Sequence, residues 1–443
     1  MNAHLSLTTN VLLAPGRAGL CAGQDNTVEV LVRIQAPEAP PDSGAVQRPP
    51  QALALVLDRS GSMAGHPLQE ARRCADHVLG SLRPNDVAAL VAFDDRAERL
   101  WPAQPVGSGT LMRAALESIQ EGGGTNLHGG WQTGADALAD VPGQGLKRVI
   151  LLSDGQANIG LVDPDQISAQ CAAMATRGIT TSTYGLGRHF NEDLMVAMAR
   201  AGGGNHYYGD TADDLMGPFR QELELLGDLC LRNLRLKATV PDGFSVDAVN
   251  PLPLTDAGWH LPDLAWASEA WVVLRVTLPA AALPPVGQQC TLLRVAVTGQ
   301  SLAGEAVALE RTGLALPVMT PAAWGQVQEE ELVNRRLLEL AAGQALMDMR
   351  HAASAGDWAR VDALLETAQQ RFAGNDWVAA VLEAMRATAR QRNRAQVMKE
   401  MTYSSCKLSS RLAEIDEGKH LPKDLSTVRS YMRRPSLQGK SDD

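Results

Sequence analysis

Aromatic side chains are scarce in this 443-residue chain, at 4%, so any core has to rest on Leu, Val, Ala and Ile. Cysteine is thin as well. Cys21, Cys74, Cys171, Cys230, Cys290 and Cys406 lie far apart, with no C-x-x-C pair and no zinc-type spacing. Several sit among apolar neighbours, where a buried free thiol is the ordinary state. Basic residues are outnumbered, 40 Lys and Arg against 50 Asp and Glu, for a formal charge of −10. That argues against nucleic acid as the main partner, because phosphate binding needs a net basic face. No run of about 18 apolar residues is available to span a membrane, and Met1 to Leu13 has neither a basic start nor a long apolar run. These absences together predict a soluble, cytoplasmic protein of a reducing compartment.

What is present is a globular balance, 45% hydrophobic and 20% charged. At roughly 100–200 residues per domain the length suits two to four domains. Residues 1–36 read as strands, with Thr27 to Ile34 alternating well enough to be half-buried. Residues 37–50 are Pro-rich linker. From 51 to about 227 strand and helix alternate. Continuous apolar runs at 52–57, 87–93 and 149–152 suit strands buried on both faces. An edge strand is expected at 98–101. Helices are expected at 67–82, 110–120, 128–140, 164–176, 191–201 and 212–226. This spacing predicts a doubly wound, mostly parallel α/β sheet with right-handed crossovers.

Residues 228–318 return to strands alone, and a few N-terminal strands have too little face to fold by themselves. The economical arrangement is one β-sandwich with the α/β domain inserted in it, followed by an α-helical C-terminal region. The expected boundaries are 1–48, 49–227, 228–320, 321–398 and 399–443. The turns at Gly356-Asp357-Trp358 and Gly374-Asn375-Asp376-Trp377 hint at helix pairs, too few for a solenoid. The last segment holds five of the seven lysines, loses apolar spacing and reads as a flexible tail.

The residues that carry chemistry are Asp58-Arg59-Ser60-Gly61-Ser62, directly after the run at 52–57. A second acid, Asp154, follows the run at 149–152, and Gly122-Gly123-Gly124-Thr125-Asn126 lies between them. Ligands of open α/β sheets gather at the carboxyl ends of strands where strand order reverses. With the order 3-2-1-4-5-6, Asp58 and Asp154 end neighbouring strands at that point. Three hydroxyls (Ser60, Ser62, Thr125) and two carboxylates suit a hard cation such as Mg²⁺, and no soft ligand cluster stands nearby. An ion held mainly by neutral oxygens keeps much of its charge and seeks an outside carboxylate.

Asp58-x-Ser60-x-Ser62, Thr125 and Asp154 resemble the metal-ion-dependent adhesion site of von Willebrand factor type A domains. The segments DRSGSM, GGGTNL and LLSDGQAN are similar to those of bacterial members. The resemblance covers residues 51–227. It implies Mg²⁺ or Mn²⁺ held by these five residues, and a protein partner offering an Asp or Glu to the metal. It implies an adaptor or scaffold rather than an enzyme, of the kind found beside AAA+ ATPases or in kinase and phosphatase modules. The alternatives are an exported adhesin with the same metal chemistry, a metal-dependent hydrolase and a purely structural scaffold.

Blander readings suit the other polar residues. Asp94 and Asp95, after the run at 87–93, could be acids that support the metal ligands from behind, but an exposed loop pair is the expected reading. His66 and His128 could serve as bases on a metal-activated water, but helix-start histidines are ordinarily solvated or hydrogen-bonded. Gly185-x-Gly187 is an incomplete nucleotide motif, and the glycines at 122–124 lack the Lys of a P-loop. Those three glycines are expected to give the backbone room to approach the ion. Asn205-His206-Tyr207-Tyr208 reads as packing at the sheet edge. Arg433-Arg434-Pro435-Ser436 resembles a basic kinase substrate site. If any element moves on ligation, helix 212–226 is the expected one.

Overall fold

The computed structural model describes residues 9–37, 50–143, 145–154, 157–186, 191–209, 211–309, 311–410 and 413–414. Gly187, most of the Pro-rich linker and Ser436 lie outside the described residues. The chain divides into two compact units, one formed by residues 43–229 with 302–305, the other by the remainder.

The first unit is a six-stranded sheet. Strand Ala52–Asp58 lies at its centre, flanked in parallel by Val87–Phe93 and Lys147–Ser153. Ile179–Leu186 and Gly203–Gly209 continue it in parallel, and Ala97–Pro105 closes the opposite edge antiparallel. The spatial order is 3-2-1-4-5-6, so strand order reverses between the strands ending at Asp58 and Ser153. All seven residues of Ala52–Asp58 are buried. Ala52, Ala54 and Val56 meet Leu127, Trp131, Ile167 and Leu194 on one face. Leu53, Leu55 and Leu57, of opposite parity, are equally buried. Helices His66–Ser81 and Ala212–Asp228 pack against each other and onto the sheet.

Helix Leu127–Ala139 sets the depth of the site because it presses close to the central strands. A Cβ on Gly134 would stand 2.5 Å from Val56 Cγ2, and one on Gly130 would overlap the Phe93 ring. Trp131, fully buried, donates its indole N–H to Thr181 Oγ1 at 2.9 Å. Gly134→Ala improves helix propensity yet overfills a rigid contact. It is therefore expected to destabilise by about 1–3 kcal/mol, measured by urea unfolding. A stabilised variant would show that the helix can move outward freely.

Asn205 to Tyr208 differ from the expected edge packing. Asn205 Nδ2 and the Tyr207 hydroxyl donate to Glu222 Oε2 at 2.7 and 3.1 Å, and Ser182 donates to Oε1 at 2.6 Å. Arg148 completes this cage with a buried ion pair to the same carboxylate. Polar residues on a short apolar-flanked strand thus serve a buried charge on the closing helix.

In the second unit, strands from both sides of residues 43–229 pair directly. Asn26–Gln35 runs antiparallel to Ser268–Leu278 through ten residue pairs, Val32 opposite Val272. Asn10–Pro15 and Ser245–Ala248 complete that sheet's main path. Leu229–Thr239, Gln289–Ser301 and Thr312–Met319 form the backbone of another sheet. Four longer helices follow, Glu331–Ser354, Trp358–Arg371, Asp376–Arg390 and Arg394–Ser410, around one apolar core. Asp357 and Asn375 cap the second and third by accepting from the amides of Arg360 and Val378.

The boundary expected at 398 is corrected here: residues 399–410 are helical. Val397, Met401 and Leu408 are buried at helical spacing and pack into the helical core, although polar residues surround them in sequence. No helix among the described residues is long and apolar enough to cross a membrane.

Candidate metal centre

The central strand delivers Asp58 to the carboxyl edge of the sheet, where its side chain has no solvent exposure. Its Oδ1 accepts the Ser60 amide at 2.8 Å and its Oδ2 accepts the Ser153 hydroxyl at 2.5 Å. The chain then enters a tight turn, Gly61–Met63, that lifts Ser62 to the surface. Ser60 Oγ and Ser62 Oγ are 3.1 Å apart, and Ser62 donates to Asp154 Oδ1 at 2.9 Å. Four of the five expected residues are therefore joined in one hydrogen-bonded string.

Thr125 reaches the same edge from the Gly-rich loop. The Gly61 amide donates to Gly123 O at 2.8 Å, and the Gly122 amide to Arg59 O at 2.7 Å. On the far side, the amides of Asn158 and Ile159 donate to Thr125 O at 3.1 and 3.3 Å. Three loops distant in sequence are thus knitted by backbone bonds at one strand-order reversal. Thr125 is 3% exposed.

Burial pushes the Asp58 carboxyl up to about 6, despite hydrogen bonds from Ser153 and Ser60 that act the other way; the nearby Asp154 charge adds to the rise. No Lys or Arg among the described residues pairs with it. A desolvated carboxylate without a cationic side chain, beside three hydroxyls and a second carboxylate, has the donor chemistry of a hard-cation site. Among the described residues no group of three or more His, Cys, Asp or Glu is placed to hold a metal.

Asp95 is exposed and Asp94 half-buried, close to the expected exposed pair, but both carboxylates are engaged by the Gly-rich loop and its neighbours. Arg59 Nε donates to Asp94 Oδ2 at 3.0 Å, and Asp95 accepts the Gly124 amide. A Cβ on Gly122 would overlap the Asp94 carboxylate, and one on Gly123 would stand 2.5 Å from Asp95 Oδ2. Gly122 and Gly123 therefore make room for these two carboxylates. Sequence reasoning also passed over Ser153 and Asn158. Both were visible as polar residues bracketing Asp154, but only the fold aims them at Asp58 and Thr125. The histidines are engaged elsewhere: His128 Nε2 lies 2.9 Å from Gln170 Oε1, and His66 is exposed, 3.9 Å from Glu70.

Fold and strand-edge geometry together define the class. Residues 52–221 match the family model of the von Willebrand factor type A domain, and this part of the chain is such a domain. Domains of this family are generally protein–protein interaction modules. Among curated relatives, the chain is 30% identical over 190 residues to protein sll0103 of Synechocystis sp., covering 43% of this chain and 45% of that protein. It is 26% identical over 178 residues to inter-alpha-trypsin inhibitor heavy chain H3 of Homo sapiens, covering 38% of this chain and 20% of that one. The chain thus spans less than half the length of these relatives. Among solved structures, a von Willebrand factor type A protein from Catenulispora acidiphila superposes with a TM-score of 0.71 at 17% identity, over 90% of this chain and 98% of that one. The ArnB paralog VWA2 from Sulfolobus acidocaldarius does so with a TM-score of 0.61, also at 17% identity and over the same shares. At this identity the likeness is one of fold.

Proposed function

We infer that this protein is a metal-dependent adaptor, not an enzyme, that binds an acidic side chain of a protein partner at the strand edge around Asp58. The observation that carries the reading is the joined set Asp58, Ser60, Ser62, Thr125 and Asp154, all oxygen donors at one strand-order reversal. Mg²⁺ or Mn²⁺ bound there supplies a coordination position for an outside carboxylate. Ser62 is exposed and Asp154 half-buried, so the set opens to solvent on that side. Asp58, held by Ser60 and Ser153, carries the buried negative charge that favours a cation. The two sheets of the second unit are read as halves of one β-sandwich interrupted by the 49–227 domain, supported by the pairing of Asn26–Gln35 with Ser268–Leu278. A reducing, cytoplasmic setting is supported by six free cysteines, five of them buried.

The test is capture of partners from a native lysate by wild type in Mg²⁺, wild type in EDTA and Asp58→Ala in Mg²⁺, each confirmed folded. A partner retained only in the first condition, and lost when one of its own Asp or Glu residues is replaced, supports metal-bridged recognition. Equal retention in all three conditions would mean that the set serves the fold alone.

A further inference from the structure

Thr125 is held differently from the other four residues of the set. Asp58, Ser60, Ser62 and Asp154 are linked to one another, Ser60 to Asp58 by its amide and the rest through side chains, whereas Thr125 is held through its backbone by residues outside the set. Its amide donates to Asn158 Oδ1 at 2.9 Å. Its carbonyl accepts from the amides of Asn158 and Ile159. The preceding amide, on Gly124, donates to Asp95 Oδ1. Two successive N–H groups are thus taken by side chains from two different loops.

Asp95 is itself well placed for this. Its neighbour Asp94 accepts the Asn126 amide on its carbonyl at 2.8 Å and is held by Arg59. Asp95 O also lies 3.4 Å from Asn126 Nδ2, and Asn126 Oδ1 in turn accepts the Gly129 amide to start helix Leu127–Ala139. The Asp95 carboxylate occupies the space that a side chain at Gly123 would need. A Cβ at Gly124 would likewise stand 2.7 Å from Asp95 Oδ1 and 3.1 Å from Asn158 Oδ1. The loop is therefore closed against both acceptors.

We propose that Asp95 and Asn158 are positioning residues for the metal centre, clamping the Gly124–Thr125 segment so that the Thr125 hydroxyl faces the other four donors. The proposal rests on the metal reading above and adds to it two residues that touch no metal. The role of Asp95 is that of a hydrogen-bond acceptor, not of a charge. Outer residues that orient metal ligands affect affinity for the ion more than they affect the fold.

The experiment is calorimetric titration of the full chain with Mg²⁺ alone, together with the melting temperature of each metal-free protein. Asp95→Ala is expected to weaken Mg²⁺ binding by about 10–100-fold, and Asp95→Asn, which keeps an acceptor of the same shape, by no more than about threefold. Asn158→Ala against Asn158→Asp repeats the comparison from the other side of Thr125, and carries the test should Asp95→Ala fail to fold. Metal-free melting temperatures of the folded variants should stay within a few degrees of wild type.

Wild-type affinity in either alanine variant would overturn the positioning role while leaving the metal reading intact. An equal loss in Asp95→Asn and Asp95→Ala would overturn it in favour of charge. Failure of the wild type itself to bind Mg²⁺ would overturn both.

Discussion

Asp58→Asn is expected to stabilise the metal-free protein at pH 8 and to abolish its stabilisation by Mg²⁺. Burial raises the Asp58 carboxyl from 3.8 to about 6, so ionising it in the folded state costs about 3 kcal/mol more than in the unfolded chain. A folded-state pKa above the unfolded value means that the native protein holds this proton more tightly. The favourable contribution is therefore full below about pH 4 and is lost as pH rises through about 6. The amide of Asn keeps one acceptor oxygen for the Ser60 amide and turns an N–H toward the Ser153 hydroxyl, which can accept as well as donate, and it carries no charge. Melting temperatures of wild type and variant should accordingly converge near pH 4 and separate above pH 6, at roughly 2–4 °C per kcal/mol for a domain of this size. Mg²⁺ at about 100 times its dissociation constant adds about 2.7 kcal/mol to the wild type and nothing to the variant. A variant that melts below wild type at pH 8 without metal, and still responds to Mg²⁺, would contradict the assignment of Asp58 as a cation ligand.

The second large effect concerns the closing helix Ala212–Asp228. Burial by itself would push the Glu222 carboxyl up, but the Arg148 guanidinium and donors on Ser182 and Asn205 more than offset it and hold it below the usual carboxylate range. Removing either charge takes the buried ion-pair partner from the other, so Arg148→Ala and Glu222→Ala are each expected to cost about 3–5 kcal/mol. The pair Arg148→Met with Glu222→Leu should recover part of that loss. It cannot recover all of it, because Ser182, Asn205 and Tyr207 also direct donors to Glu222. Urea unfolding of the singles and the double measures this coupling. Single variants costing under about 1 kcal/mol would show that water reaches the cage and replaces the missing partner.

The other end of the same helix is tied separately. Glu70, on the helix that follows the Ser60–Ser62 turn, accepts the Ala212 amide at 2.6 Å, and Arg73 bridges Glu70 and Asp213. The helix named as the element most open to movement is thus anchored at its start and along its length. A shift of one turn would carry Glu222 about 5.4 Å from its donors.

The alternating domain was legible because its strands are continuous apolar runs and its helices carry one apolar face. Ala52–Asp58 and Lys147–Ser153 announce themselves by composition, and Pro164–Thr176 by a capping Asp163 followed by Pro. The candidate ligands were legible because each is a polar residue immediately beyond a buried strand or in a loop of glycines. Less legible was helix Arg394–Ser410, whose apolar residues are few and spread over several turns. Hidden altogether was the work of Ser153, Asn158 and Glu222, and for Asp94 and Asp95 a supporting role could be named but not the partners. Each is an ordinary polar residue in sequence, and each has a partner 29 or more residues away.

The amino-acid sequence alone determined the strand–helix alternation of residues 52–221, the oxygen character of the donor set and the side of the sheet on which it stands. Periodicity and residue type are local properties, and they survive without knowledge of any distant contact. Only the tertiary structure decided how the donors are held. That depends on which carboxylate each buried N–H or hydroxyl meets, and on why three consecutive glycines are needed to let Asp94 and Asp95 in. Hydrogen bonds between remote loops leave no pattern along the chain, because any polar residue can supply them once the fold has brought it there.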